Sequence, residues 1–206
     1  RFKKQVVTKE EIAKTAIHVE REVGGLTGGH QDQWWAALGG FGSLEFNKSG
    51  VQFFPIKDQR LVNFVENNLY LISLNEQRHS AKASATLIHK LEERQLTNLD
   101  NIRNIAYSMH DRINQNLSIE QKIKLISNTL QNTWENKKKQ IQTSDKLLEL
   151  EKLTESHSIP MKLCGGGYSG FVSIIANQAQ LETFKQKGYN PLPISIDKNG
   201  VQVIHG

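Results

Sequence analysis

Residues 161–206 read MKLCGGGYSGFVSIIANQAQLETFKQKGYNPLPISIDKNGVQVIHG, and this stretch decides the fold. Two apolar segments, MKLC and FVSIIA, flank a glycine cluster, the pattern of two strands joined by a loop. NQAQLETFKQKG then follows a helical pattern, and PLPISI and VQVIHG read as two terminal strands. Strand, loop, strand, helix and strands make an α+β end, a sheet packed on helices.

Ser158-Ile159-Pro160 separates this end from a different region. From about residue 79 to 157 the pattern is almost wholly helical, with breaks near Thr97-Asn98, Asn116 to Ser118 and Gln142 to Ser144. Four helices in succession predict a bundle. Nearer the start, Thr8 followed by Glu11 predicts a capping box. Ile12, Ala16, Val19 and Val23 continue a helical stripe that Gly24-Gly25 ends. A short helix is expected from about Asp32 to Leu38, then a hairpin of FGSLEF (41–46) and VQFFPI (51–56) turning through Asn47 to Gly50. LYLISL (69–74) has the composition of a buried strand.

The 206 residues suffice for a real core, in one domain or two small ones. With 37% hydrophobic and 23% charged residues and no low-complexity tract, the chain is a folded one. No apolar run approaches the roughly 18 residues of a membrane span. The basic start, RFKKQVVTKEEIAK, lacks the apolar core of a secretory signal. Cys164 stands alone, so no internal disulfide forms, in keeping with a reducing cytoplasm. A net charge of +5 favours anionic partners. Apart from Lys137-Lys138-Lys139 the basic residues are interleaved with acids, and no aromatic-basic pattern points to nucleic acid.

The segment KLCGGGYSGFVSII (162–175) concentrates Gly165, Gly166, Gly167 and Gly170. Glycines permit positive φ, so several N–H groups can turn into one concavity and hold a phosphate; a tight turn or bulge between strands explains them equally well. The segment is neither a Walker A motif nor a dinucleotide fingerprint. A second glycine-flanked stretch, GGHQDQWWAALGG (28–40), holds one acid, Asp32. At the start of a short helix this carboxylate either caps the helix or accepts and orients a hydroxyl proton.

The two segments together resemble the sugar-kinase branch of the GHMP kinase superfamily. GGHQDQWWAALGGFGSLEF stands where that family carries Gly-x-Gln-Asp-Gln, small residues, Gly-Gly-Phe and a strand. KLCGGGYSGF occupies the place of its Lys-Leu/Ile-x-Gly-Ala-Gly-Gly-Gly-Gly-Phe loop. Between them, LYLISLNEQRHS and NTWENKKK match, in order, an Arg after a buried strand and a Trp-Glu-x-x-Lys segment of heptose-phosphate and fucose kinases. PISIDKNGVQVIHG is similar to the last strands of the heptose-kinase group, so the resemblance runs through the whole chain.

The resemblance implies an α+β protein: the end of a GHMP kinase N-terminal domain (residues 1–66), then a C-terminal domain (67–206) with a helical bundle packed on a ferredoxin-like antiparallel sheet. It implies an ATP- and Mg²⁺-dependent cytoplasmic enzyme that phosphorylates a sugar hydroxyl, first the anomeric hydroxyl of a heptose phosphate and next fucose. Asp32 would be the catalytic base or the positioner of that hydroxyl, with Gly29, His30 and Gln31 at the sugar pocket. Gly165, Gly166, Gly167, Ser169 and Gly170 would line the nucleotide-phosphate side. Arg78 and Lys138 match family positions that would bind a substrate phosphate; a surface charge is the plain alternative for Arg78, and a solvated run is expected for Lys137 and Lys139.

Four departures accompany these matches. Tyr168 and Ser169 replace loop glycines, Leu74-Asn75 replaces a Thr-Gly before the Arg, and Trp34-Trp35 is bulkier than the family pair; one ring could stack on a sugar, though core packing is commoner. The fourth is that no Pro-x-x-x-Gly-Leu-Gly-Ser-Ser loop, which holds triphosphate and Mg²⁺ in the family, occurs in the sequence. The expectation is therefore the C-terminal two-thirds of a kinase, with no metal ligand of its own, completed by a missing N-terminal segment or a second copy of the chain. A non-catalytic binding or partner subunit of the same fold is the alternative, and a helical interaction module at 79–157 a third.

Overall fold

The computed structural model describes residues 7–26, 28–76, 97–165 and 170–202. It divides into two compact units, Arg1–Lys57 with Ile196–Gly206, and Asp58–Ser195. This differs from the expected 1–66 and 67–206: residues 58–66 belong with the second unit, and the last eleven residues with the first.

The first unit begins with helix α1 (Lys9–His18), where Thr8 and Glu11 form the expected capping box. One π-helical turn, Val19–Val23, continues it, and Gly24 ends it. Helix α2 (Gln31–Leu38) and an antiparallel hairpin of β1 (Gly42–Asn47) and β2 (Gly50–Pro55) follow. Ala13, Trp34 and Ala37 are the core, with Ile17, Leu44 and Val51 packed on them. The expected stripe of α1 is displaced by one residue. Val19 and Val23 are 54% and 71% exposed, whereas Ala13 is buried and Ile17, Glu20 and Arg21 are partly covered. The inward face carries polar groups that hold a loop, so apolar periodicity misread it.

The C-terminal turn closes this unit. Gly40 N–H donates to Asp197 O (2.6 Å) and Val201 N–H to Ala37 O (3.2 Å). Gly39 and Gly200 both have left-handed backbone (φ 69° and 61°), and a Cβ on Gly39 would lie 2.3 Å from Gly200 N. Two backbones touch there, which only glycine permits.

The second unit has the order α3 (Gln59–Asn68), β3 (Leu69–Ser73), α4 (Thr97–Ile113), α5 (Ile119–Lys137), α6 (Asp145–Ser156), β4 (Met161–Leu163), β5 (Phe171–Ile175), α7 (Gln178–Gln186) and β6 (Pro191–Pro193). Helix starts follow the sequence: Asp58, Ser118, Ser144 and Asn177 each accept a backbone N–H of the first turn. The strands pair in the order β4-β5-β3-β6, all antiparallel. From β3 onward, with α4–α6 as one crossover and α7 as the other, this is the ferredoxin-like arrangement expected, with helices packed on the sheet.

In register, Tyr70 opposes Ile174 and Ile72 opposes Val172, while Met161 and Leu163 face those same β5 residues from the other side. These side chains join Trp134, Leu147, Leu150, Leu181 and Phe184 in one core. Burying residues of this size contributes ~2 kcal/mol each.

The helical breaks at 116–118 and 142–144 are present; α4 is described from Thr97 onward, and the helix expected from residue 79, with the break expected before α4, lies outside the described residues. Of PLPISI only Pro191–Pro193 is strand, on the edge position that proline tolerates. Val201 and Gln202 are irregular, and the rest of VQVIHG lies outside the described residues.

Candidate active site

In the first unit, Asp32 is exposed at the second position of α2. It is not the cap: that position belongs to His30, whose side chain makes no capping bond. Gly29, His30 and Gln31 are exposed beside it, while Gln33 turns inward and is buried. The stretch is held from below by the π-helical turn. Arg21 donates through Nη2 to Gly29 O (2.7 Å) and through Nη1 to Leu26 O (3.2 Å), and pairs with Glu20 (3.2 Å). Glu20 in turn accepts from Gln33 Nε2. One chain of contacts, Gly29–Arg21–Glu20–Gln33, thus fixes both ends of the segment that presents Asp32. Arg21 Nε and Gln33 Oε1 are buried without a partner among the described residues. Trp34 is core, and Trp35 meets Phe53 edge-on with centroids 5.5 Å apart.

In the second unit, β4 leads into Gly165, which has φ +81° and open space where a Cβ would stand. Gly166, Gly167 and Ser169 lie outside the described residues, as does Arg78. Both ends of the glycine segment are anchored: Cys164 N–H donates to Phe171 O (2.8 Å), and Gly170 O accepts from Leu74 N–H (2.9 Å). Lys137, the last residue of α5, donates from Nζ to Leu163 O (2.9 Å) and to Gly165 O. Burial, and then the neighbouring Lys162, push its ammonium down to about 8, opposed by Cys164. Left-handed backbone and free space at Gly165 fit a phosphate group here.

Lys138 has a different setting. Its Nζ bonds Glu151 (2.7 Å) and Glu135 (2.8 Å), and the Trp134 indole N–H donates to the same Glu151 oxygen (2.8 Å). Burial pulls the Lys138 ammonium down, but the bonds to Glu135 and Glu151 outweigh it and leave it raised. Glu135, Glu151 and Glu155 are close enough to share a cation, yet the Lys138 ammonium already bonds two of them, so this cluster does not fit Mg²⁺.

Sequence reasoning missed Glu20, Arg21 and Lys137. The first two had a signal, a charged pair at the spacing from Ala13 and Ile17 that continues the buried face. For Lys137 there was none, because three successive lysines differ only in where the last helical turn points them. A groove of about 820 Å³ between α4 and α5, lined by Asn101, Asn104, Arg112, Asn128, Asn132 and Asn136 among others, holds none of the expected residues.

The comparisons support the GHMP kinase superfamily, on its sugar-kinase branch, as the group this chain resembles. The chain is 27% identical over 203 residues to D-glycero-alpha-D-manno-heptose 7-phosphate kinase of Campylobacter jejuni, covering 93% of this chain and 58% of that protein. Its fold matches crystal structures of a mevalonate kinase (TM-score 0.65, 22% identity, 95% of this chain and 59% of the other). It also matches a D-glycero-D-manno-heptose 1-phosphate kinase from Bacteriodes thetaiotaomicron (TM-score 0.57, 19% identity, 98% and 57%). No family model matches the chain. The chain spans less than two thirds of the length of each of these relatives.

Proposed function

We propose that this chain forms part of an ATP-dependent sugar kinase that phosphorylates a sugar hydroxyl, the anomeric hydroxyl of a heptose phosphate first among candidates. The observation that carries it is the exposed Asp32 on a segment pinned at both ends by Arg21 and Glu20. Asp32 takes the hydroxyl proton or orients that hydroxyl, within a pocket to which Gly29, His30 and Gln31 contribute. The first unit serves as the remainder of the N-terminal domain and the second as the C-terminal domain, acting in the cytoplasm; among the described residues no helix is long and apolar enough to cross a membrane.

ATP with Mg²⁺ supplies the transferred phosphoryl group when bound. Gly165, Gly166, Gly167, Ser169 and Gly170 face its phosphates, and Arg78 and Lys138 hold the phosphate of the substrate. Lys138 does so by releasing Glu135, the more exposed of its two partners. The test is transfer of labelled γ-phosphate from ATP to heptose phosphates, fucose and mevalonate by the full-length protein and its Asp32→Asn variant. Heptose-phosphate turnover that falls at least ~100-fold in the folded variant is expected. Turnover equal to wild type removes Asp32 from the chemistry, and absence of transfer to any acceptor removes the kinase reading.

A further inference from the structure

We propose that Lys137 is a positioning residue of the glycine-rich loop, clamping the Leu163 and Gly165 carbonyls that flank Cys164 so that the start of the loop presents its phosphate-binding face. This rests on the kinase reading above for the identity of the ligand, a nucleoside triphosphate, but not for the clamp.

A backbone loop that holds an anion needs its N–H groups turned inward and its carbonyl dipoles turned away. Lys137 sits on the far side of that requirement. Its Nζ takes the carbonyl oxygens of Leu163 and Gly165, the last strand residue and the first loop glycine, while the intervening Cys164 points its N–H the other way, to Phe171 O. The Leu163–Cys164 peptide is thus bound at both its carbonyl and its N–H, and the same ammonium holds the Gly165 carbonyl where β4 becomes the loop. Gly165, with φ +81°, is the joint that this arrangement holds. The lysine comes from α5, packed on β4, so a rigid helix end sets the loop rather than the loop itself. Lys139, two residues on, is exposed, so the KKK run contains one clamp rather than three equivalent charges.

Cys164, the only cysteine, reports on this junction. Its alkylation at pH 7 is to be followed in the wild-type chain and in Lys137→Met, Lys137→Arg and Lys139→Met, each checked for folding by circular dichroism. Lys137→Met is expected to raise the rate at least tenfold, Lys137→Arg to restore most of the wild-type rate, and Lys139→Met to change nothing. In the full-length enzyme Lys137→Met is expected to raise KM for ATP at least tenfold while leaving KM for the sugar unchanged. A wild-type alkylation rate in folded Lys137→Met, or an unchanged KM for ATP, overturns the proposal. If alkylation rises as expected but the wild-type enzyme transfers no phosphate to any acceptor, the clamp stands and the kinase reading fails.

Discussion

The Arg21 guanidinium donates a 2.7 Å hydrogen bond to the carbonyl of Gly29, three residues ahead of Asp32. This guanidinium is thus spent on backbone rather than on substrate. Gly28 lies directly on that guanidinium, since a Cβ there would come within 2.9 Å of it. Removing Arg21 frees the loop without touching the acid. Arg21→Ala is expected to cost ~2 kcal/mol of stability and to lower kcat/KM for the sugar about 10- to 100-fold. Denaturation and steady-state kinetics on the same variant check this, and a stable, fully active Arg21→Ala would show that Asp32 holds its place unaided.

Gly39 and Gly25 share left-handed backbone but not surroundings. A Cβ on Gly39 would strike Gly200 N at 2.3 Å, whereas one on Gly25 meets nothing within 4 Å. Gly25→Ala should therefore cost only the conformational penalty, ~1 kcal/mol, and Gly39→Ala at least ~2 kcal/mol more. Thermal melts of the two variants measure the contrast; equal losses would mean that the Asp197–Gly200 turn does not dock on α2.

Trp134 and Lys138 share one acceptor, the buried carboxylate of Glu151. Glu151→Ala strands the buried Trp134 indole N–H and leaves the Lys138 ammonium to Glu135 alone, for an expected loss of ~2 kcal/mol. Glu151→Gln keeps an acceptor for Trp134 and should lose ~1 kcal/mol. A urea double-mutant cycle of Lys138→Met with Glu151→Gln should show coupling of ~1 kcal/mol or more. Additivity within error would make the pair a surface contact.

Lys137 gives the second unit a distinctive alkaline response. Its folded pKa, about 8, lies below the 10.5 of the unfolded chain, so between those values the unfolded state binds more protons and stability rises with pH. The cost of burying the charge is present below pH 8 and relieved above it. Relative to Lys137→Met, the wild type should gain ~2 kcal/mol from pH 7 to pH 10 in urea unfolding. A difference independent of pH would mean that the ammonium is not buried as described.

Much of the fold was legible because it rests on local chemistry. The box at Thr8/Glu11, the break at Asn116 to Ser118, the hairpin turn at Asn47 to Gly50 and the stop at Ser158-Ile159-Pro160 each involve residues within three positions of one another. What failed depended on distant partners. Apolar periodicity puts the buried face of α1 on its valines, because the spacing of Glu20 and Arg21 from Ala13 and Ile17 gains its meaning only from a loop eight residues on. PLPISI was read as one strand, although Ile196 leaves the sheet for the first unit.

The α+β order of strands and helices and the short helix that begins near Asp32 are legible in periodicity, capping and glycine placement, and the ferredoxin-like sheet in the family resemblance. Tertiary structure decided what each charge meets. In the run Lys137-Lys138-Lys139, one ammonium grips a glycine loop, one is locked to Glu135 and Glu151, and one is exposed. Successive residues on a helix point about 100° apart, and only the packing of α5 against β4 and α6 determines what each direction meets.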